Sequence, residues 1–229
     1  MTTTSPPSAG SCPDWVEDVP PARVDEFKQR LAFVYQRMLS SATVDPEFVR
    51  ETITLFWHGS LFADFVPLDY YAGNFRQPDP ARPCLAQNVA VGPIPGSNFR
   101  LVVSDMAQLF AEAQQTLRAL ETDWPYLSPE DRAVAIALVT GDLVGGFIRI
   151  HPFLNGNGRT SRLLWRWVLW RFGVPPQFTV FPRPSPPYGP LMAEAMRGNN
   201  LPLQYHVLQH LSAYSPKHPT ALAPPADST

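Results

Sequence analysis

The sequence predicts an all-α fold, a compact helical bundle with a small β-hairpin-like flap. Three observations lead there. Apolar residues recur at spacings of three and four through most of the chain. Strand-like patterning is confined to Val89-Ala90-Val91, and strong helix punctuation at Ser128-Pro129 and Gly173 brackets the periodic runs. With 229 residues, 45% hydrophobic and 12% aromatic, the chain is long enough for one buried core and short for two.

Taken in order, residues 1–22 are rich in Pro, Ser and Thr and read as a disordered leader, and residues 214–229 read as a similar tail. The folded domain is expected over 23–213. Its first helix places Val24, Phe27, Leu31, Val34 and Met38 on one face, and a second, looser face holds Phe48, Ile53, Phe56, Ser60 and Leu61. From Val66 to Leu101, Pro, Gly and Asn punctuate short apolar pairs, which predicts a long irregular connection with the flap inside 73–92. Helical spacing resumes over Val103 to Leu120. Ser128 is a good N-cap, Pro129 suits the first helical position, Asp131 can complete a capping box, and this helix should run to about His151. Asn155-Gly156-Asn157-Gly158 must break it, because glycine and asparagine tolerate left-handed backbone. The next helix, Gly158 to Phe172, presents Leu163, Leu164, Trp167, Val168 and Phe172 to the core and stops at Gly173 with Pro175-Pro176. Two short helices follow over Tyr188–Arg197 and Leu203–Tyr214.

Composition excludes several classes. The net charge is -2 and the 18 basic residues form no stripe, so nucleic acid is not an expected ligand. Lys28 and Lys217 are the only lysines, so positive charge is nearly all arginine, the side chain shaped for two-pronged contacts to phosphate. Cys12 and Cys84, with no repeated spacing, predict neither a zinc site nor a disulfide framework and leave a reducing compartment as the default. Met1 to Gly10 lacks a basic and apolar signal pattern, and no run of about 18 uncharged apolar residues occurs. The expectation is a cytoplasmic protein with no membrane partner.

Chemistry concentrates in residues 151–162. A histidine ends one helix and faces a glycine-asparagine turn that opens the next. N–H groups at a helix start make an anion cradle, and Gly156, Asn157 and Gly158 allow close approach. Arg159 and Arg162, three apart, share a face and can reach two phosphates of one polyphosphate. His151 can take a proton from a hydroxyl near neutral pH. Each feature alone has a bland reading: a structural histidine, a plain turn, a solvated arginine pair. Together they point to phosphoryl or nucleotidyl transfer.

The string His151-Pro152-Phe153-Leu154-Asn155-Gly156-Asn157-Gly158-Arg159-Thr160-Ser161-Arg162 resembles the Fic family motif HPFx(D/E)GNGRxxR at eight specified positions. Ala72-Gly73-Asn74-Phe75-Arg76 and Asn88 to Gly92 resemble the family's flap region. The resemblance implies an all-α Fic-like domain that moves AMP from ATP, the co-substrate, to a Ser, Thr or Tyr hydroxyl of a target protein, with Mg²⁺ or Mn²⁺. It implies that His151 is the general base, that Gly156, Asn157 and Gly158 form the anion nest, and that Arg159 and Arg162 steady the outer phosphates. By the same resemblance Phe153 plugs into the core, and Val89, Ala90 and Val91 belong to the flap that pairs with an extended target segment.

Two departures matter. Asn155 stands where the family has Asp or Glu, so a neutral amide replaces a charged metal ligand, and weaker metal binding or another donor (UMP, phosphocholine or phosphate) follows as the alternative. A non-catalytic nucleotide-binding module is the rival of another class. None of the eight glutamates is followed by Gly or Asn, so the inhibitory (S/T)xxxE(G/N) pattern is absent from the sequence, and a separate antitoxin-like protein is the expected source of any such restraint.

Overall fold

The computed structural model describes residues 12–15, 19–42, 45–46, 49–174 and 180–214. The tails at 1–11 and 215–229, Phe48, and the helix-stopping Pro175-Pro176 lie outside the described residues. Among those described, seven α-helices and one two-stranded hairpin form the all-α fold that periodicity predicts.

Helix α1 (Val24–Ala42) buries Phe27, Leu31, Val34 and Met38 as expected. Helix α2 (Thr52–Phe62) corrects the reading of its face: Thr54, Trp57, His58, Leu61 and Phe62 are buried, while Phe56 is exposed. Its sequence is apolar nearly all the way round, so spacing alone does not choose a side. Packing against α1 and α5 does.

The connection after α2 contains 3-10 turns at Asp69–Tyr71 and Pro83–Leu85 and then the hairpin β1 (Ala90–Val91) and β2 (Ile94–Pro95). The strands are antiparallel, with Ala90 opposite Pro95 and Val91 opposite Ile94. The flap therefore extends past residue 92. Proline in β2 masked the second strand in the sequence, since proline argues against a strand except at an edge. Here both strands are edges.

Helix α3 (Val102–Asp123) leads to α4 (Pro129–Ile150), which packs against α3, α5, α6 and α7. Ser128 caps α4: its Oγ accepts from the Asp131 N–H at 3.1 Å and donates to Asp131 Oδ2 at 2.7 Å. Glycines inside α4 permit close neighbours. A Cβ on Gly145 would lie 2.1 Å from Asn200 Oδ1, at the start of α7. Helix α5 (Asn157–Arg171) carries the anticipated core face, with Leu163, Leu164, Trp167 and Val168 fully buried. Helices α6 (Tyr188–Met196) and α7 (Leu201–Tyr214) close the bundle.

The cysteine reading is corrected. Cys12 and Cys84 form a disulfide, with Cα atoms 5.4 Å apart across a sequence separation of 72. A single pair carries no spacing signature, so only the fold brings it together. Such a bond persists in oxidising surroundings, which removes the cysteine argument for a reducing compartment. The part of the leader that is described is also packed. Trp15 and Val19 are buried, and the Tyr71 hydroxyl donates to the Pro13 carbonyl at 3.0 Å.

Candidate active site

Helix α4 ends where His151 turns left-handed, at φ 54° and ψ 59°, with its N–H donating to the Phe147 carbonyl. A side-chain-bearing residue seldom adopts this conformation, at a cost on the order of 1 kcal/mol. The chain leaves the helix axis here, four residues before the glycine-asparagine turn. The imidazole Nδ1 lies 3.2 Å from the Ile148 carbonyl, so Nδ1 carries the proton and donates, and Nε2 keeps its lone pair. Burial lowers its pKa to about 4, with the hydrogen bond to Ile148 opposing and the Arg76 cation assisting. At neutral pH the ring is an uncharged base.

The loop after His151 is braced from within and below. Asn157 Oδ1 accepts from the Phe153 N–H at 2.9 Å and Asn157 Nδ2 donates to the Phe153 carbonyl at 2.9 Å. The Phe153 ring is fully buried, with Phe75 and Phe147 around it. It plugs into the core. His58 of α2 stacks on Phe153, accepts from the Gly73 N–H on Nδ1 at 2.9 Å, and so donates from Nε2 to the Asn155 carbonyl at 3.0 Å. Burial lowers the His58 pKa to about 3. Gly156 has φ 77°, and a Cβ there would meet Phe62 at 2.5 Å. Only glycine fits.

Asn157 and Gly158 open α5 and present the N–H groups that a helix start leaves without intrahelical acceptors. The two arginines differ. Arg162 is nearly buried, donating from Nε to the Val180 carbonyl at 2.9 Å and from Nη1 to the Tyr188 hydroxyl at 3.2 Å. The Tyr188 hydroxyl in turn reaches the Gly158 carbonyl at 3.3 Å. The Arg159 guanidinium lies over Phe27 and Phe181, 5.1 and 5.3 Å from the ring centroids, and burial followed by the charge of Arg162 lowers its pKa to about 10. Arg159 stays cationic at neutral pH, and neither arginine is a solvated surface charge.

These groups face one cavity of about 570 Å³, a size ordinary for a small-molecule site. His151, Asn155, Gly156, Gly158, Arg159 and Arg162 all line it. Val91 and Ile94 of the hairpin stand at it, whereas Val89 lines a separate hollow with Trp15 and Tyr71, and its carbonyl accepts from the Gly96 N–H. Of the residues singled out from the sequence, Asn157 is buried and does not line the cavity, and one flap residue in three, Val91, stands against it. The sequence singles out no site role for His58, Tyr188 or Trp15, and Arg76 enters it only within the stretch that resembles the flap. A lone histidine on an apolar helix and an arginine in a loop carry no periodic signal.

Asn155 is committed to the protein. Its Oδ1 accepts from the Gly156 N–H at 2.7 Å and its Nδ2 donates to the Trp15 carbonyl at 2.7 Å. Among the described residues no three His, Cys, Asp or Glu side chains cluster. These donors do not make a resident divalent-cation site, because a hard cation needs several oxygen ligands and prefers charged ones.

Fold and site together define a helical protein in which the loop after α4 and the start of α5 open on one cavity. The model of the Fic/DOC family matches residues 48–169, just over half of the chain and nearly all of the span from α2 to α5. The chain belongs to the Fic/DOC family. It is similar to proteins named protein adenylyltransferase Fic from Drosophila grimshawi, Drosophila erecta and Drosophila yakuba, 62% identical over 29 residues. That stretch is 13% of this chain and 6% of those relatives' length.

Proposed function

We propose that the chain transfers AMP from ATP to a Ser, Thr or Tyr hydroxyl of a target protein. The observation that carries this reading is the convergence of His151, with Nδ1 protonated and Nε2 basic, and the Arg159–Arg162 pair on one cavity at the start of α5. In the reaction the hydroxyl oxygen attacks the α-phosphorus, its proton passes to His151 Nε2, and the bond from the α-phosphorus to the bridging oxygen breaks. Pyrophosphate leaves. The arginines and the Asn157 and Gly158 amides stabilise charge on the phosphates as it develops, and donors already held in place make that stabilisation large. The target segment docks as an added strand on the hairpin that reaches the cavity at Val91. A divalent ion, Mg²⁺ or Mn²⁺, brought in with the donor would neutralise phosphate charge.

The neutral Asn155 favours one further reading, in which the transferred group comes from a different phosphate donor. Incubation with ATP labelled at the α- or γ-phosphate separates them. Label from the α position appearing on protein supports AMP transfer, label from the γ position shows phosphoryl transfer, and modification with UTP or CDP-choline alone overturns ATP as the donor.

A further inference from the structure

Arg76 belongs to no helix or strand, yet its side chain is fully buried. Burial of a guanidinium is costly unless its donors are satisfied, and here the four acceptors are all main-chain carbonyls. Nε donates to His151 at 2.9 Å, Nη1 to Gln87 at 2.9 Å, and Nη2 to both Ser97 at 2.9 Å and Ile150 at 3.0 Å. The Arg76 N–H adds a bond to the Pro152 carbonyl at 2.8 Å.

The acceptors fall into two groups. Gln87 and Ser97 flank the hairpin on its two sides, and Ile150 and His151 are the last carbonyls of α4, which have no helical N–H to receive. Arg76 thus acts as a distant C-cap for α4, and its cation suits the negative end of a helix of 22 residues. Burial lowers its pKa only to about 10, so the charge persists. Two further contacts share the seam. The Ser97 N–H donates to the Ile150 carbonyl at 3.0 Å, and a Cβ on Gly96 would lie 2.8 Å from the His151 Cβ.

We infer that Arg76 is a positioning residue that locks the hairpin and the His151 turn into one rigid frame, so that a segment docked on the hairpin meets the base nitrogen in fixed register. Its planar fork reaches four acceptors in three directions, which a lysine ammonium on a flexible stem does not reproduce. A misplacement near 1 Å between attacking group and base costs on the order of a hundredfold in rate. Arg76 does not line the cavity and acts through the backbone of His151. This role rests on the transferase reading for its kinetic consequence only.

The test compares the full-length wild type with Arg76→Lys, and with Arg76→Gln as a second variant that keeps a planar amide should the first fold poorly. Amide hydrogen exchange followed by NMR reads the frame directly. The expected result is faster exchange at Gly96, Ser97 and His151, with the interior of α4 between Ile136 and Val144 unchanged. Self-modification by labelled ATP should show a turnover at least tenfold lower with ATP affinity within about threefold, since the nest and both arginines are untouched. Wild-type exchange at those three amides overturns the inference, as does a uniform rise that includes α4 or an equal loss of ATP binding. A wild type that transfers nothing defeats the transferase reading, while the exchange measurement, which needs no donor, still decides the role of Arg76.

Discussion

His58 stacks face to face on Phe153, with ring centroids 3.7 Å apart and planes 6° from parallel. The same imidazole bridges the Gly73 N–H and the Asn155 carbonyl, so one buried ring supports the loop that follows His151. Both functions need the neutral ring, because its acceptor nitrogen is in use and no water reaches it.

Acid stability follows from this pair of histidines. Folding lowers the pKa of His58 from 6.5 to about 3 and that of His151 from 6.5 to about 4, in each case mainly by burial. Below 6.5 the unfolded chain binds protons that the folded one refuses. Stability is therefore complete above that pH and falls as pH drops, by up to ~1.4 kcal/mol per pH unit for each histidine. Urea midpoints at pH 7 and pH 5 check the slope, and His58→Gln should remove one share of it. Equal midpoints at the two pH values would refute the assignment.

His151→Ala should abolish transfer while ATP binding stays within a few-fold of wild type, since the imidazole acts on the attacking hydroxyl and not on the donor. A positioned base contributes ~10²–10⁴-fold. Retention of a third or more of the wild-type rate removes His151 from that role.

Arg162→Lys keeps the charge and loses the fork that spans the Val180 carbonyl and the Tyr188 hydroxyl. Donor affinity should weaken by about tenfold, corresponding to ~1.4 kcal/mol, and Arg159→Ala should weaken it as well. Calorimetric titration with ATP gives both values. Wild-type affinity in the two variants would place the triphosphate somewhere other than this cavity.

Removing the disulfide tests the strap formed by residues 12–15. A bridge across 72 residues stabilises on the order of 4 kcal/mol by restricting the unfolded chain, so Cys12→Ser with Cys84→Ser should lower the urea midpoint strongly. Trp15 packs edge-on against His58 at 5.7 Å and Phe62 at 5.2 Å, and its release should show as a red shift in fluorescence. An unchanged midpoint and spectrum would mean that the strap holds without the bond.

What the sequence made legible is what local rules encode. Ser128 with Asp131 marks a helix start by capping chemistry, and Gly156 announces a turn that only glycine fits beside Phe62. His151, Arg159 and Arg162 are carried to one cavity by a short loop and a single helix turn, so their proximity is written in their spacing. The rest depends on partners far along the chain. Cys84 meets a cysteine 72 residues away, Arg76 finds carbonyls on both sides of the hairpin and at the end of α4, and Trp15 reaches Asn155 across 140 positions. No periodicity reports such contacts. Trp57 and Phe56 sit side by side in an apolar helix, and only tertiary packing decides that the first is buried and the second exposed.

Asn155→Asp joins both kinds of information. The new carboxylate keeps an oxygen for the Gly156 N–H, while its second oxygen replaces the amide nitrogen that lies 2.7 Å from the Trp15 carbonyl. Two acceptors then face each other, and the strap should loosen at a cost of ~1–3 kcal/mol. A charged oxygen turned away from Trp15 is also a better ligand for an ion on the donor phosphates. The expected outcome is a lower stability together with a higher transfer rate and a lower Mg²⁺ concentration for half-maximal rate. Asn155→Ala separates the two effects, because it loses the Trp15 bond and gains no charge, so stability should drop with no gain in metal response. If the Asp variant loses stability and keeps the wild-type Mg²⁺ dependence with ATP, residue 155 anchors the strap alone. If it instead depresses an activity that wild type shows with another donor, the amide is tuned to that donor and ATP is not the native substrate.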